Sequence, residues 1–481
     1  MKSSREPMNP RRRISPNRSP MHVALLFLLS ATAVAWSDPL RAGIGLADIT
    51  PPIPYRMSGY FSERLSTATK DPLFAKAIVF RQDGAACAVV FCDIIGMSPQ
   101  VTKAARERAS QATGIPAANI VIAATHSHTG PLYFGALRAH FHDRAIQQVG
   151  RDPYETVDYP ALLVERLVDS IAQADARLQP VEIKSGYADE RRLSFNRRFH
   201  MRDGSVRFNP GQQNPDIVRV AGPTDPQVGT VTLARPGTPK PFAVLVSFAL
   251  HLDTVGGTEY SADYPKYLQD GLRTEFGPDF SCLFGTGTCG DINHIDVSTK
   301  GRRGAQEIGS MLAATVSEKI NSGTLATAEG SLAVRTGQVV VPLQEYSPAE
   351  IDEARRHMDL IGTRELAFLD QVKAFKIMAL QLREGKTMPI EVQALRLNDE
   401  TAIVCLPGEV FVELGIAIKA ASPFRHTLLV ELANDAPGYI PTRKAFAEGS
   451  YETVNSRVAA GGGEAMVELA SRLLSELGPP R

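Results

Sequence analysis

The feature that most constrains the fold of this chain is a short apolar run that ends in two histidines. Residues 120–122 are β-branched, as is typical of a buried strand, and the run reaches His126 and His128 before Gly130-Pro131 breaks it. Side chains alternate along an extended chain, so both histidines are expected to project to the same side. Neutral imidazole is a common zinc ligand, and the pair therefore suits a metal site. A pair of ordinary hydrogen-bonded histidines explains an isolated His-x-His equally well.

Three more strand-like runs end near residues that carry chemistry. Apolar runs lead to His251 and to Glu409, and residues 427–434 run into a turn that carries Tyr439. Open sheets place ligands beyond their strand ends, on loops held by a rigid scaffold. Each of these residues taken alone fits a packed or solvated side chain. Their recurrence in one chain suggests a shared site, although spacing alone does not prove that they converge.

The order of the predicted elements indicates the α/β class, with a mixed β-sheet core flanked by helices and the active site at strand ends. A turn at Asp83-Gly84 joins two of the predicted strands. Residues 138–159 and 191–223 are predicted as loops, since they are polar or lack periodicity. Periodicity predicts helices at residues 101–112, 161–173, 304–320 and 464–477, and a charged helical hairpin at 348–382.

Charge and cysteine content narrow the classes of function. The 481 residues include 52 basic and 52 acidic side chains, so the chain lacks the basic excess of a general nucleic-acid binder. The five cysteines form no Cys-x-x-Cys pair, which gives no support for a thiolate zinc site. Cys87 and Cys92 have odd spacing in one strand and are expected on opposite faces. Whether Cys282 and Cys289 form a disulfide stays open.

The first 35 residues have the pattern of a signal peptide. Basic residues precede a short apolar segment, and Ala33-Val34-Ala35 resembles a small-x-small cleavage site. We therefore expect a chain exported to the periplasm or secreted, with a mature part that begins near Trp36. No later segment is apolar enough to predict a membrane span.

Several motifs, in order along the chain, resemble those of the neutral/alkaline non-lysosomal ceramidase family. The resemblance runs from Gly43 to Tyr451. The similar motifs are His126-Ser-His-Thr-Gly-Pro131, Asn196-Arg197, Phe248-Ala-Leu-His251, Gly290-Asp291, Leu406-Pro-Gly-Glu409 and Gly438-Tyr439. The resemblance implies that residues 36–481 form a single ceramidase-like catalytic domain with a helical insertion at about residues 347–384. It also implies a short form, without the C-terminal sandwich-type domain of well-known ceramidases.

The resemblance implies a secreted zinc-dependent amidohydrolase with one catalytic Zn²⁺. The ligands would be His126, His251, Glu409 and Tyr439. Zinc-bound hydroxide would attack the amide carbonyl of an N-acyl substrate, with a ceramide-like lipid as the expected one.

Four further residues receive catalytic roles from the same resemblance. His128 would transfer protons, Arg197 and Tyr451 would donate to the developing oxyanion, and Asp291 would shape the site. Asn293 stands where the family has a serine, which weakens the inference at that point.

Other functions stay open at this level. They are a zinc hydrolase of the same fold that acts on a non-ceramide amide or ester, and a non-catalytic exported binding protein. A two-metal amidohydrolase barrel is disfavoured, because the His-x-His follows several strands and no ligand series of that type comes after it. The expected partner is a lipid amide or another N-acyl small molecule, with peripheral membrane contact and no nucleic acid.

Overall fold

The computed structural model describes residues 38–383 and 385–478, which form strands and helices. The strands are β1 (Arg41–Asp48), β2 (Ala68–Thr69), β3 (Phe74–Gln82), β4 (Ala85–Cys92), β5 (Ile120–Ala124), β6 (Gln179–Pro180), β7 (Glu182–Asp189), β8 (Phe195–Asn196), β9 (Arg198–Met201), β10 (Val206–Phe208), β11 (Ile217–Val220), β12 (Gln227–Ala234), β13 (Pro241–Phe248), β14 (Glu259–Tyr260), β15 (Ser281–Thr286), β16 (Ile292–Asn293), β17 (Ala326–Thr327), β18 (Gly330–Pro342), β19 (Thr387–Asn398), β20 (Thr401–Cys405), β21 (Glu409–Val410), β22 (His426–Val430) and β23 (Tyr439–Ile440). The helices are α1 (Pro99–Thr113), α2 (Gly135–Val149), α3 (Tyr159–Ala176), α4 (Tyr264–Phe276), α5 (Ala305–Asn321), α6 (Pro348–Met358), α7 (Phe368–Gln381), α8 (Val412–Ala421), α9 (Arg443–Glu448), α10 (Tyr451–Asn455) and α11 (Gly462–Leu477).

Three mixed sheets organise these elements. Their strand orders are β5-β4-β3-β1-β6, β15-β13-β12-β7-β17 and β18-β19-β20-β22. In each sheet one terminal pair is parallel, namely β4 with β5, β13 with β15, and β20 with β22. The other neighbours in these three sheets are antiparallel. The α/β class with a mixed sheet core is therefore confirmed.

Apolar side chains of the three sheets pack into one shared core. Phe91, Val121, Leu245 and Val430 are buried members of this core and come from strands of all three sheets. The backbone of Gly285 lies so close that a Cβ there would sit 2.8 Å from the Phe91 ring and 2.9 Å from Val430. Burial of these apolar side chains stabilises the arrangement by roughly 1.5–3 kcal/mol each. It also holds the three parallel pairs next to one another.

The predicted hairpin of β3 and β4 is confirmed. Asp83 and Gly84 take φ angles of 47° and 79°, as a tight turn with two positive φ values requires. Cys87 packs into the shared core, whereas Cys92 packs into a separate apolar cluster. The two cysteines therefore do lie on opposite faces of the strand. All five cysteines are free and buried, which settles the open question at Cys282 and Cys289 against a disulfide.

The prediction of a loop over residues 138–159 is wrong, because α2 occupies much of it. Polar residues are as numerous as apolar ones in this helix, but Leu137, Phe141 and Ala145 recur every four residues and are buried on one face. The predicted loop over residues 191–223 also contains ordered structure, since β9 pairs with both β10 and β11. The charged segment after residue 347 forms α6 and α7, and its status as an insertion stays a prediction.

The predicted signal peptide lies outside the described residues, and the domain limits stay predictions. Among the described helices, none combines the length and the apolar character that crossing a bilayer requires.

Candidate metal centre

Three imidazoles converge just beyond the ends of β5 and β13. The Nε2 atom of His126 lies 3.0 Å from that of His251, and the Nε2 atom of His128 lies 3.3 Å and 3.2 Å from these two. His126 and His128 follow β5, and His251 follows β13. The two parallel strand pairs thus bring together residues that are more than a hundred positions apart in the chain.

His126 is held in an unusual backbone conformation. Its φ angle is 79°, in the left-handed region that a non-glycine residue adopts at a cost of roughly 1–3 kcal/mol. Its Nδ1 atom donates to the carbonyl oxygen of Ile95 over 2.7 Å, so its Nε2 atom carries a lone pair. The convergence of His126 and His128 was expected from side-chain alternation in a strand. In the structure β5 ends at Ala124, and the turn after it brings the two rings together.

Glu409 adds a carboxylate to this cluster. Its Oε2 atom lies 3.4 Å from Nε2 of His126 and is buried without a hydrogen-bond partner among the described residues. Burial raises the pKa of Glu409, but His126 and Tyr439 beside it outweigh that effect and hold the pKa below its ordinary value. Glu409 and Tyr439 are direct neighbours in the parallel pair of β21 and β23. All four predicted metal ligands therefore meet at one place.

The donor set fits a divalent metal ion. Tetrahedral zinc with bonds of about 2.0–2.1 Å to nitrogen separates its donor atoms by roughly 3.3 Å, close to the spacing of the three Nε2 atoms. Burial and the neighbouring imidazoles also lower the pKa of His251 well below its ordinary value, which keeps the ring neutral. Imidazole nitrogens and a carboxylate oxygen that face one another at this distance are the kind of donor atoms that zinc binds.

His128 differs from the other two imidazoles in its surroundings. Its Nδ1 atom lies 3.6 Å from Oδ1 of Asp253, and Asp253 also accepts a hydrogen bond of 2.6 Å from the Tyr60 hydroxyl. Burial lowers the pKa of His128 to about 4, although Asp253 opposes this shift, so the ring is neutral at neutral pH. By distance alone His128 is a third candidate ligand, and its contact with Asp253 suits proton transfer equally well.

Arg197 and Tyr451 lie on the Tyr439 side of the cluster. Arg197 donates from Nε to Glu452 over 2.9 Å and from Nη2 to the Gly290 carbonyl oxygen over 2.7 Å. Its guanidinium lies 5.4 Å from the Tyr439 ring centroid and 5.8 Å from that of Tyr451. Arg197 is thus close to the cluster but bound to a buried carboxylate, which limits the donors it has left for a substrate.

Asp291 supports the backbone around the cluster. Its Oδ1 atom accepts from the Val412 amide over 2.8 Å, and its Oδ2 atom accepts from Asn196 over 2.7 Å. Burial raises the pKa of Asp291 to about 6. Asn293, which replaces the family's serine, bonds to Asn209 over 2.7 Å. Both residues hold loops in place, and neither lines the cavity described next.

A cavity of about 180 Å³ opens beside the cluster. His126, His128, Glu409, Tyr439 and Tyr451 line it together with a set of mostly apolar side chains. The apolar part of the wall includes Phe61, Leu132, Phe134, Leu137, Phe375 and Leu432. The candidate metal centre therefore forms the polar end of an apolar cavity.

Sequence reasoning missed Asp253, Asn455 and Arg457. Asp253 follows His251 by two residues, so the same alternation argument that paired the histidines could have flagged it. Asn455 and Arg457 line the cavity at the end of α10 and just beyond it, and no motif marked them.

Two solved structures share this fold. The crystal structure of neutral ceramidase from Pseudomonas aeruginosa aligns with a TM-score of 0.68 and 20% identity, covering 92% of this chain and 75% of that one. A ceramidase complexed with C2 aligns with a TM-score of 0.67 and 19% identity, covering 92% and 76%. At these identities the likeness concerns the fold alone. Fold and site together define an α/β protein with a candidate metal centre at its strand ends.

Sequence comparison finds a similarity to one family over the N-terminal half of the chain. Residues 40–259 match the family model for the N-terminal part of neutral/alkaline non-lysosomal ceramidases. Neutral ceramidase of Pseudomonas aeruginosa is 29% identical over 216 residues, which make up 43% of this chain and 29% of that protein. The resemblance drawn from the motifs is therefore confirmed. Of the predicted site, His126, His128, Arg197 and His251 fall within the match to the family model, and the remaining residues lie beyond it.

Proposed function

We propose that this protein is a metal-dependent hydrolase that cleaves the N-acyl amide bond of ceramide or of a closely related lipid amide. The proposal rests above all on the three Nε2 atoms within 3.3 Å of one another, beside a carboxylate oxygen that has no hydrogen-bond partner among the described residues. They lie at the polar end of an apolar cavity, as the cleavage of an amide with a long acyl chain requires.

The proposed metal is a single zinc ion held by His126, His251, Glu409 and Tyr439. When bound, zinc supplies a Lewis acid that lowers the pKa of water to about 7 and polarises the substrate carbonyl. Burial raises the pKa of the Tyr439 phenol well above its ordinary value, so this side chain needs a nearby positive charge to ionise. The Nδ1 hydrogen bond of His126 to Ile95 holds that ring with its lone pair turned inward.

His128 is the proposed proton carrier. It lines the cavity, and Asp253 lies 3.6 Å behind its Nδ1 atom, where a carboxylate stabilises the imidazolium that forms when Nε2 takes up a proton. Water adds its oxygen to the carbonyl carbon and gives a proton to His128. The carbon–nitrogen bond then breaks, and the leaving amine nitrogen takes that proton. The products are an amine and a carboxylic acid, which releases its remaining proton to solvent and becomes a carboxylate.

Tyr451 is the proposed donor to the developing oxyanion, because it lines the cavity beside Glu409 and Tyr439. Arg197 was given the same role by the resemblance. Its hydrogen bonds to Glu452 and Gly290 favour a different task, in which it positions the rings of Tyr439 and Tyr451. Asp291 contributes by fixing the Val412 amide, three residues after Glu409.

Membrane contact and export complete the proposal. The N-terminus of α7 exposes Phe368 and Leu369, and the Phe368 ring stacks 5.6 Å from that of Tyr451 at the cavity. Apolar side chains exposed beside a lipid-binding cavity suit peripheral contact with a lipid surface. Export through the N-terminal segment rests on the sequence pattern of residues 1–35.

Metal analysis combined with hydrolysis assays tests this proposal. We expect about one zinc per chain and cleavage of short-chain ceramide that a chelator abolishes and added zinc restores. Cleavage of other amides or esters without cleavage of ceramide would favour the non-ceramide hydrolase. A metal-free preparation without hydrolysis of any substrate would favour a binding protein.

A further inference from the structure

Arg457 brings a permanent positive charge to the wall of the cavity. It is the one arginine or lysine among the described residues that line this cavity, which it shares with Glu409, Tyr439 and Tyr451. It lies two residues beyond the end of α10. None of the proposed catalytic steps uses it.

The guanidinium of Arg457 has no counter-ion within the described part of the chain. No carboxylate there comes within 4.0 Å of it, and the nearby Asp435 is already paired with Arg383 at 3.3 Å. Its side chain makes no hydrogen bond to a described residue, and it lies 5.5 Å from the centroid of the Phe375 ring. Burial and Arg383 lower the pKa of Arg457 to about 10, so it remains charged at neutral pH. A charge placed in this way is costly unless a ligand pairs with it.

The backbone leaves room for this guanidinium next to the candidate metal centre. Gly438 takes a φ angle of 81°, and a Cβ at this position would collide with Nη1 of Arg457. A larger residue at position 438 would therefore displace the guanidinium from its place in the cavity wall. Glycine is needed here both for its backbone angle and for the space.

A second polar group beside Arg457 also lacks a partner. Asn455 lines the same cavity and is only 8% exposed. Its amide nitrogen lies 3.4 Å from the Tyr451 hydroxyl, but its amide oxygen is buried without a hydrogen bond to any described residue. Buried polar atoms are nearly always satisfied, so an unsatisfied acceptor next to an unpaired cation points to a ligand.

We infer that Arg457, with Asn455 beside it, binds an anionic group on the amine half of the amide substrate. The inference rests on the proposed function and narrows its substrate class to N-acyl lipid amides that carry a negative charge. An acyl chain is uncharged and suits the apolar wall, so the anion belongs to the other half of the molecule. The charge is either a phosphate on a ceramide or the carboxylate of an N-acyl amino acid, and arginine binds both groups through paired hydrogen bonds.

The test compares four amides with the same acyl chain. Two are neutral, a ceramide and an N-acylethanolamine, and two are anionic, the corresponding ceramide phosphate and an N-acylglycine. For the wild type we expect kcat/KM about 10- to 100-fold higher for at least one anionic amide than for its neutral counterpart, mainly through KM. The favoured anionic amide identifies the source of the charge. Equal kcat/KM for neutral and anionic amides would overturn the inference and leave the proposed function intact.

Variants at position 457 separate ligand binding from a structural role. Arg457→Gln should remove the preference while neutral ceramide is still cleaved, and Arg457→Lys should keep part of the preference. Lys373→Gln serves as the matched control, because it removes an exposed positive charge from α7 that does not line the cavity. A loss of kcat on neutral and anionic amides alike in Arg457→Gln, with no rescue by Arg457→Lys, would contradict the inference.

If none of the four amides is cleaved, their equilibrium binding is measured by calorimetry on the same preparation. Tighter binding of an anionic amide that Arg457→Gln abolishes would support the inference and reject the hydrolase. Equal binding of all four compounds would reject the inference as well.

Discussion

Two clusters of histidine and carboxylate groups in this molecule look alike by distance and differ in their counter-charges. His126, His128 and His251 form one cluster, and His142, Asp152 and Glu155 form the other, each with ligand atoms within 4.8 Å of one another. In the second cluster Nδ1 of His142 lies 2.9 Å from Asp152 and 3.2 Å from Glu155. Distance and residue type alone would therefore give two metal sites.

Arginine side chains neutralise the carboxylates of the second cluster. Asp152 pairs with the buried guanidinium of Arg56, and Glu155 accepts from Nε of Arg138 over 2.9 Å. A dication there would compete with two guanidinium groups for the same oxygens. In the first cluster, within the described structure, no guanidinium pairs with Glu409 and its Oε2 atom makes no hydrogen bond. A candidate metal site is thus recognised by ligand atoms that have no counter-charge or hydrogen-bond partner, as well as by residue type and distance.

The largest expected effect is that of His126→Ala. Removing one of four ligands should abolish zinc binding and reduce hydrolysis at least about a thousandfold, since zinc supplies both activation of water and polarisation of the carbonyl. Mass spectrometry of the purified variant gives the metal content, and ceramide cleavage gives the rate. His142→Ala is the matched control and should keep both. Loss of metal in His142→Ala, with retention in His126→Ala, would show that the second cluster binds the metal and the first does not.

His128→Ala should lower the rate without removing the metal. Proton transfer by a positioned side chain typically contributes about 10²- to 10⁴-fold, so kcat should fall by that range while zinc content stays near one per chain. Asp253→Asn should produce a smaller fall in kcat, because the imidazolium loses its carboxylate. Loss of zinc in His128→Ala would instead make His128 a ligand, and full turnover in this variant would exclude a catalytic role.

Much of the fold was predictable because its signals are local. β-branched runs predicted the strands that carry the site, and Asp83-Gly84 predicted the turn between β3 and β4. α2 was missed because its polar residues hide an apolar stripe of only a few side chains. The short strands β8 to β11 have too few residues to show any period, and their pairing depends on distant parts of the chain.

The site was predictable only as far as motifs marked its residues. The four proposed ligands do meet, but the left-handed turn at His126 that brings its ring next to that of His128 leaves no trace in side-chain alternation. Arg457 reaches the cavity through tertiary packing against Gly438 and Phe375. Nothing in the spacing of residues 451–457 indicates that contact. The arginines that pair with Asp152 and Glu155 are likewise visible only in three dimensions.

Arg56→Met tests the structural role of the second cluster. Arg56 is 1% exposed and donates from Nε to Glu63 over 2.7 Å as well as to Asp152. Removing it takes the guanidinium away from the buried carboxylate of Asp152, which should cost about 3–5 kcal/mol of unfolding free energy in urea titrations and leave zinc content unchanged. Arg144→Met, which breaks a half-exposed pair with Glu63, should cost about 1 kcal/mol or less. Equal costs for the two variants would show that burial of the Arg56 cluster contributes nothing.

Lys376 extends the comparison to a buried cation without any carboxylate partner. It is 1% exposed, and its ammonium group reaches only the neutral side chains of Gln344 and Tyr346 among the described residues. Burial, with help from nearby Lys373 and Arg457, lowers the pKa of Lys376 to about 7. Lys376→Met should therefore raise the unfolding free energy at pH 6 by roughly 1–3 kcal/mol, because the folded state no longer carries a desolvated charge.

The advantage of Lys376→Met should shrink as the pH rises. Below pH 7 the ammonium is charged in both states, so the wild type bears the full cost of burying it. Between about pH 7 and 10.5 the folded state has released the proton while the unfolded state still holds it, so wild-type stability rises with pH relative to the variant. Urea titrations at pH 6 and pH 9.5 measure this trend. If the difference in unfolding free energy between the two proteins is the same at both pH values, Lys376 is not buried as a charged group. Its lack of a carboxylate partner among the described residues would then have no measurable cost.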